Sequence, residues 1–447
     1  MNSLNRYFEL ESRGTTVGRE FRGAVATFLT MAYILAANPA ILSAAGVPVD
    51  SAVACTALAA GICTLAMGLI ANFPLALASG MGLNALIAYT AAAATGSWQT
   101  AMGIVVLDGL IIFVLVVIGL REAMLDAIPL DLRRGMAAGI GLFIALIGCV
   151  NSGLVSSSGL PVPPLKPGAF VQPSVLITLA GIVVIAALHS RKVPGAILIG
   201  IIGCAVASHL WTSFDPAVVG DVDAPVGQPS DHEPASILPS FRIIGQADVV
   251  GAMSLQFLPL LLTLLMVDFF DTLGTVTALG DQTGLKDANA RVPGLRRILL
   301  VDSVSAAIGG WFGVSSVTCY IESAAGISEG ARTGLHSVFV GLFFLASVFA
   351  SPLVALIPPE ATAPALIVVG CLMAASITRI DFTQAATAVP AFVTLLLIPT
   401  SYSISHGIGY GILTYVAIQL LTLNWRNVHP LLYGAAAVFA IAFAWAG

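Results

Sequence analysis

The sequence predicts an all-α polytopic membrane protein of about 14 transmembrane helices, arranged as two seven-helix halves in a 7+7 inverted repeat. Three observations predict it. Of 447 residues, 58% are hydrophobic and only 9% charged, against about 25% charged in an ordinary soluble domain. Apolar runs long enough to cross a bilayer recur from near residue 20 to the C-terminus, leaving no soluble domain of useful size. The basic residues fall on alternate connections, as a chain that crosses repeatedly requires.

Residues 1–18 are polar and include Glu9, Glu11 and Arg13, unlike a signal peptide, so the first span is expected to serve as its own insertion signal. Apolar length and period place helices at about 20–45, 51–72, 74–94, 98–120, 128–150, 174–190 and 194–212. A second set follows near 250–280, 297–312, 314–329, 333–356, 361–379, 384–401 and 403–423. The last apolar piece, 430–446, reads equally as a short span or an interfacial helix. The only long polar loop, 213–247, is rich in Pro, Asp and Gly.

With the N-terminus inside and one crossing per helix, Arg6, Arg13, Arg19, Arg22, Arg121, Arg133, Arg134, Arg191 and Lys192 fall on the inner side. So do Lys286, Arg291, Arg296, Arg297, Arg332, Arg379 and Arg426, which makes 16 of the 18 basic residues. Only Lys166 and Arg242 fall outside, together with the acidic 213–247 loop. This asymmetry supports the helix count and a cytoplasmic N-terminus.

The halves repeat. Ile128, Pro129 and Asp131 match Ile357, Pro358 and Glu360 at an offset of 229, and Gly141 and Ala145 match Gly370 and Ala374. Seven helices per half is an odd number, so the second copy must be inverted, an architecture common in transporters that hold substrate near the midplane on broken helices. The third segment, Pro74 to Asn84, and the tenth, Gly313 to Glu322, both read as a short extended piece feeding a half-helix. Such backbone survives at membrane depth only against protein or a water-filled cavity. Half-helix N-termini offer free N–H groups and partial positive charge. An offset of 238 superimposes Asn84 on Glu322 and Thr30 on Asp268.

Five carboxylates, Asp108, Asp268, Asp271, Asp302 and Glu322, sit in apolar stretches without an accompanying Lys or Arg. Ionisable groups are costly in lipid and usually functional there. Asp268 and Asp271 are three apart, hence expected on one helical face with Thr272 and Thr275 one turn along. Two nearby carboxylates in low dielectric do not both ionise easily, so at least one is expected to hold a proton near neutral pH. Asp302, close after Arg297, suits a cap or salt bridge as well as proton coupling, and Asp108 suits a hydrogen bond to a neighbouring helix as well as function. Phe269 and Phe270 read as packing residues; Tyr320, beside the break, is a better candidate for stacking on a planar ligand. His336 is expected to be structural, and His189 and His429 interfacial.

Other classes are disfavoured. No basic cluster suggests nucleic acid. Cys55, Cys63, Cys149, Cys204, Cys319 and Cys371 are scattered singly without metal-ligand spacing and read as packing residues. No metal or other cofactor is expected; the coupling ion would be H+. A site of acids and an amide, without Lys or Arg, suits a neutral molecule carrying N–H donors and ring acceptors, such as a nucleobase.

At these residues the chain resembles the nucleobase–ascorbate transporter superfamily and, within it, the AzgA-like purine permease branch. The similar stretches are GTTVGREFRGAVATFLTMAYILAANPAIL (14–42), GMGLNALIAYT (80–90), VDFFDTLGT (267–275), YIESAAG (320–326) and IPPEATAPALIVVG (357–370). Ser79, Leu86-Ile87, Cys319 and Asp108 depart from the residues usual at their positions. The resemblance implies a core domain (19–120 and 248–356) and a gate domain (121–212 and 357–447), flanking a cytoplasmic 1–18 segment and an external or periplasmic 213–247 loop. It also implies proton-coupled import of purine bases (adenine, guanine or hypoxanthine) across the plasma (inner) membrane by an elevator-type movement. Asp268 and Glu322 would hold the base and Asn84 would help position it, with Tyr320, Ile321, Thr30, Ser79, Gly80 and Thr272 around them. Asp268, Asp271, Glu322 and Asp302 are the proton-coupling candidates. Relatives commonly form homodimers. The rival readings are a same-fold transporter of uracil, xanthine or, in the SulP manner, an anion, and more remotely an intramembrane aspartyl protease, which needs two facing carboxylates.

Overall fold

The computed structural model describes residues 3–119, 128–157, 165–214, 239–283, 292, 294–354, 357–424, 426 and 428–446. In chain order these form helices α1 (Ser3–Phe8), α2 (Val17–Met31), α3 (Ile34–Ser43) and α4 (Val49–Ala66), strand β1 (Leu77–Ser79), then α5 (Met81–Ala85), α6 (Ala92–Thr95), α7 (Trp98–Val117) and α8 (Leu130–Asn151). Strands β2 (Val155–Ser157) and β3 (Leu165–Pro167) precede α9 (Pro173–Ser190) and α10 (Ala196–Phe214). The remainder comprises α11 (Val249–Ala252), α12 (Leu258–Thr283), α13 (Leu295–Trp311), strand β4 (Val317–Cys319), α14 (Ser323–Ser328), α15 (Gly334–Ser347) and α16 (Ser351–Val354). The chain closes with α17 (Pro359–Ala374), α18 (Ala385–Thr400), α19 (Ile404–Leu421) and α20 (Pro430–Ala446).

Each of the fourteen expected segments is present as a helix or a broken helix. Among the described residues seven are long and apolar enough to span a bilayer by themselves, and shorter apolar helices make up most of the others. The 430–446 segment is helical. α8 and α17 begin at Leu130 and Pro359, the separation that the repeat requires. The first span is not continuous: α2 ends at Met31, and α3 resumes at Ile34 with Pro39 inside it. Pro39 has no N–H to give the Leu35 carbonyl, which adds a second weak point to this half of the span. The β2–β3 hairpin, which pairs Val155 with Pro167, was not foreseen. Most of the polar 213–247 loop, and Arg121, Lys286 and Arg291 of the charge pattern, lie outside the described residues.

By packing the chain divides into two units. The first comprises Met1–Ala76, Ile144–Ile243 and Glu322–Gly370. In it α4 and α15 pack along each other, α2 packs on α14 and α15, and α9 on α10. The N-terminal segment forms a strap. Phe8 and Leu10 are buried with Leu335, the Tyr7 hydroxyl donates to the Leu69 carbonyl at 2.6 Å, and Thr15 donates to that of Gly330 at 3.1 Å. The Arg13 guanidinium donates to the Asn72 carbonyl at 2.7 Å and pairs with Glu9. Asn72 itself has φ 48°; its side chain accepts from Gly334 N at 2.8 Å and donates to the Phe8 carbonyl.

The second unit comprises Leu77–Phe143, Ile244–Ile321 and Cys371–Gly447. α7 lies along α13 and also contacts α12, while α18 and α19 form a close pair to which α20 is added. Ile112, Val116, Phe269 and Leu299 make an apolar cluster where α7, α12 and α13 meet, so Phe269 is a packing residue. The His406 ring stacks on Phe443 with centroids 5.0 Å apart, fastening α20 to α19.

Candidate functional site

Two short strands organise the second unit. β1 pairs antiparallel with β4 in the register Leu77 to Cys319, Ala78 to Thr318 and Ser79 to Val317, and all six residues are buried. Each strand satisfies the other's backbone groups, which is what non-helical chain at membrane depth demands. Gly80 extends the pairing, its N–H donating to the Ser316 carbonyl at 3.0 Å. A Cβ on Gly80 would lie 2.9 Å from the Thr318 methyl, so the close approach of the strands requires glycine there. Beyond it α5 begins, as the break in the sequence predicts.

The acidic side chains are arranged around this joint. Asp268, on α12, is fully buried and accepts the Ser316 hydroxyl hydrogen at 2.5 Å. Asp302, on α13, is equally buried; it accepts from Thr272 at 2.8 Å, from the Cys319 thiol at 3.3 Å and from Thr318 at 3.4 Å. Three short-range donors from α12 and β4 therefore converge on Asp302. Thr272, foreseen as a substrate residue, is buried with its hydroxyl given to Asp302.

Asp271 is exposed whereas Asp268 is buried. Three residues leave about 60° between side chains on a helix, so neighbours on one side of α12 can differ in burial as these two do. The side chain of Phe270 lies outside the described residues. Asp108 is fully buried in the middle of α7.

Asn84, on α5, is fully buried. Its Oδ1 accepts from the Ser79 hydroxyl at 2.6 Å, and its Nδ2 has no hydrogen-bond partner among the described residues. The Ser79 hydroxyl also lies in hydrogen-bond contact with the Val314 carbonyl. Tyr320 is buried, and its phenol donates to the Ser79 carbonyl at 2.5 Å. The ring is thereby pinned to β1. Ile321 next to it is 46% exposed.

Glu322 opens the first unit's third stretch, three residues beyond β4 in sequence. It occupies the cap position of α14, but its side chain makes no capping bond. The partly buried carboxylate instead accepts from the Tyr33 phenol at 3.0 Å. Tyr33 sits in the break between α2 and α3. Thr30, also foreseen near the substrate, spends its hydroxyl on the carbonyls of Ala26 and Thr27 in its own helix.

Behind Glu322 a buried network fixes α14. The Thr27 hydroxyl accepts from Gly326 N at 3.1 Å and contacts His336 Nε2 at 2.9 Å, giving His336 the structural place expected of it. Glu20 accepts from the N–H groups of Arg332 and His336, at 2.8 and 3.2 Å, at the start of α15. Among the described residues, no three His, Cys, Asp or Glu side chains group to hold a metal.

Sequence reasoning missed Tyr33, Ser316 and Thr318. Ser316 and Thr318 lie in the polar β-branched run of the tenth segment, a signal that hydroxyls gather there. Tyr33 had no signal beyond its place three residues after Thr30.

Residues 18–409 match the Permease family. The chain belongs to that family. It is 39% identical to adenine permease AdeQ of Escherichia coli over 98% of this chain and 96% of that one. To guanine/hypoxanthine permease PbuG of Bacillus subtilis it is 36% identical, over 98% and 99% of the two chains. These relatives put it in the AzgA-like purine permease branch. The transmembrane domain of the cyanobacterial bicarbonate transporter BicA superposes with a TM-score of 0.61 at 19% identity, covering 87% of this chain and 96% of that one. At that identity the match establishes a shared fold. A permease is a transporter, which removes the protease alternative.

Proposed function

We propose that the protein imports purine nucleobases, adenine, guanine or hypoxanthine, together with H+ across the plasma membrane, with its N-terminus in the cytoplasm. The names of its relatives support the substrate class. One observation supports the site: Glu322 stands at a helix start yet leaves its carboxylate unspent on capping, while Asp268 is a buried carboxylate held at the joint of two strands. Carboxylates accept N–H groups, and the Asn84 amide supplies a complementary polar group. Acids without an accompanying Lys or Arg suit an anionic cargo poorly, and residues 74–120 and 302–329 contain neither.

In this reading Asp268 and Glu322 hold the base, and Asp268, Asp271 and Glu322 share the coupling proton. Protonation neutralises the site and lets the loaded carrier cross, since moving bare carboxylates through the bilayer is far costlier. The moving element is the core domain, residues 19–120 and 248–356, sliding against a gate of residues 121–212 and 357–447.

The test is uptake of labelled adenine and hypoxanthine into proteoliposomes with an imposed pH gradient. Uptake rises with external acidity and collapses with a protonophore. Indifference to both removes the coupling. Glu322→Ala abolishes purine binding by a folded protein; normal uptake in that variant places the site elsewhere.

A further inference from the structure

We propose that Ser79 is a positioning residue that sets which purines are accepted, by fixing the end of the Asn84 amide that faces the ligand. The proposal rests on the purine reading above and goes further, to the basis of choice among purines.

A primary amide has a donor end and an acceptor end of nearly the same shape, so only its partners decide which way it points. At Asn84 that partner is Ser79, whose hydroxyl occupies Oδ1 at 2.6 Å. What is left is Nδ2, on a fully buried side chain and without a partner among the described residues. Buried polar groups are nearly always paired, so one left over calls for an explanation. A lone pair on the base, at a ring nitrogen or an exocyclic oxygen, would complete it. Asn84 therefore does not read a donor and an acceptor side by side; it offers a donor alone.

Ser79 is well placed to impose this. Its backbone is paired with Val317, its carbonyl is held by the Tyr320 phenol, and its side chain is buried. Its single hydroxyl hydrogen has two acceptors in reach, Asn84 Oδ1 and the Val314 carbonyl. With the hydrogen on Oδ1, the amide shows its donor. With the hydrogen on Val314, Oγ becomes an acceptor for the amide N–H, and the acceptor end turns outward.

This choice matters because the pairing edges of purines differ in sense. Adenine carries an amino donor beside a ring-nitrogen acceptor, whereas hypoxanthine and guanine carry a carbonyl acceptor beside a ring N–H. A site whose polar groups are fixed in order discriminates between the two; one whose amide turns freely does not. Asp268 keeps the order from the other side, because Ser316, which donates to it, also accepts Gly80 N–H next to Ser79.

The test is equilibrium binding of adenine and hypoxanthine to the purified full-length protein, read as the ratio of the two dissociation constants. In Ser79→Ala the ratio moves toward unity by about fivefold, the effect of a hydrogen bond worth roughly 1 kcal/mol. Ser79→Cys, a weak donor, moves it the same way and serves if the alanine variant does not fold. A role in packing alone shifts both constants together and leaves their ratio at the wild-type value; that result overturns the proposal. If the wild-type protein binds neither base, the purine reading itself falls, and this inference with it.

Discussion

Thr272 gives its hydroxyl hydrogen to Asp302 across 2.8 Å, joining α12 to α13 inside the second unit. Thr318 lies 2.9 Å from the same hydroxyl and also reaches Asp302, so β4 is tied in as well. A carboxylate so fully engaged braces the joint on which Asp268 depends. Asp302→Ala strands these donors and costs about 1–3 kcal/mol, measured as a lower unfolding temperature of the purified protein. Asp302→Asn keeps an acceptor oxygen, and its uptake remains stimulated by acid. Loss of that stimulation in a stable Asn variant would give Asp302 a coupling role instead.

Tyr33 supplies the described donor to Glu322, at 3.0 Å. Tyr33→Phe removes the hydroxyl and leaves the ring. A hydrogen bond to a charged group is worth about 1.5–3 kcal/mol, so purine affinity falls by roughly tenfold or more. Unchanged affinity in a titration of the variant would show that Glu322 is positioned by its backbone alone.

Gly326 is where α2, α14 and α15 come closest. A Cβ there would meet His336 Nε2 at 2.4 Å, Thr27 Oγ1 at 2.5 Å and the Gly23 carbonyl at 2.6 Å. Gly326→Ala consequently destabilises the protein by about 1–3 kcal/mol through overpacking. Because α14 follows Glu322 directly, purine binding weakens along with stability. An alanine variant with wild-type melting and binding would mean that the helices separate at no cost.

Asn72 separates two effects. At φ 48° it occupies the left-handed region, and its side chain clasps Phe8 and Gly334. Asn72→Gly loses only the clasp, whereas Asn72→Ala also incurs the left-handed penalty of about 1–2 kcal/mol. Thermal unfolding should therefore rank wild type above glycine above alanine. Equal melting of the two variants would remove the backbone contribution.

Much of this was legible in the sequence because hydropathy, broken runs and charge asymmetry are local signals. Gly80 and Gly82 among small residues marked one interruption, a β-branched and polar run after Gly313 marked the other, and lone acids in apolar helices marked the candidate site. What escaped depends on contacts between distant parts of the chain. That Thr272 and Cys319 both donate to Asp302 could not be read from its own stretch, since each comes from another element. Asp271 followed the period of its helix but not the burial of Asp268. Residues 5–15 looked merely polar, because nothing in their own composition announces that Arg13 and Thr15 reach carbonyls at 72 and 330.

The pairing of β1 with β4 has a bearing on how the protein is made. When Leu77–Ser79 leave the ribosome, their partners at Val317–Cys319 are some 240 residues from being synthesised. Until then that stretch has no ladder in which to place its amides and carbonyls, which lipid will not accept. The early helices must therefore wait in a provisional arrangement, with the third segment kept near water or a chaperone. Neither half expressed by itself can reach its final form, and co-expression of both is the way to rebuild the carrier from pieces.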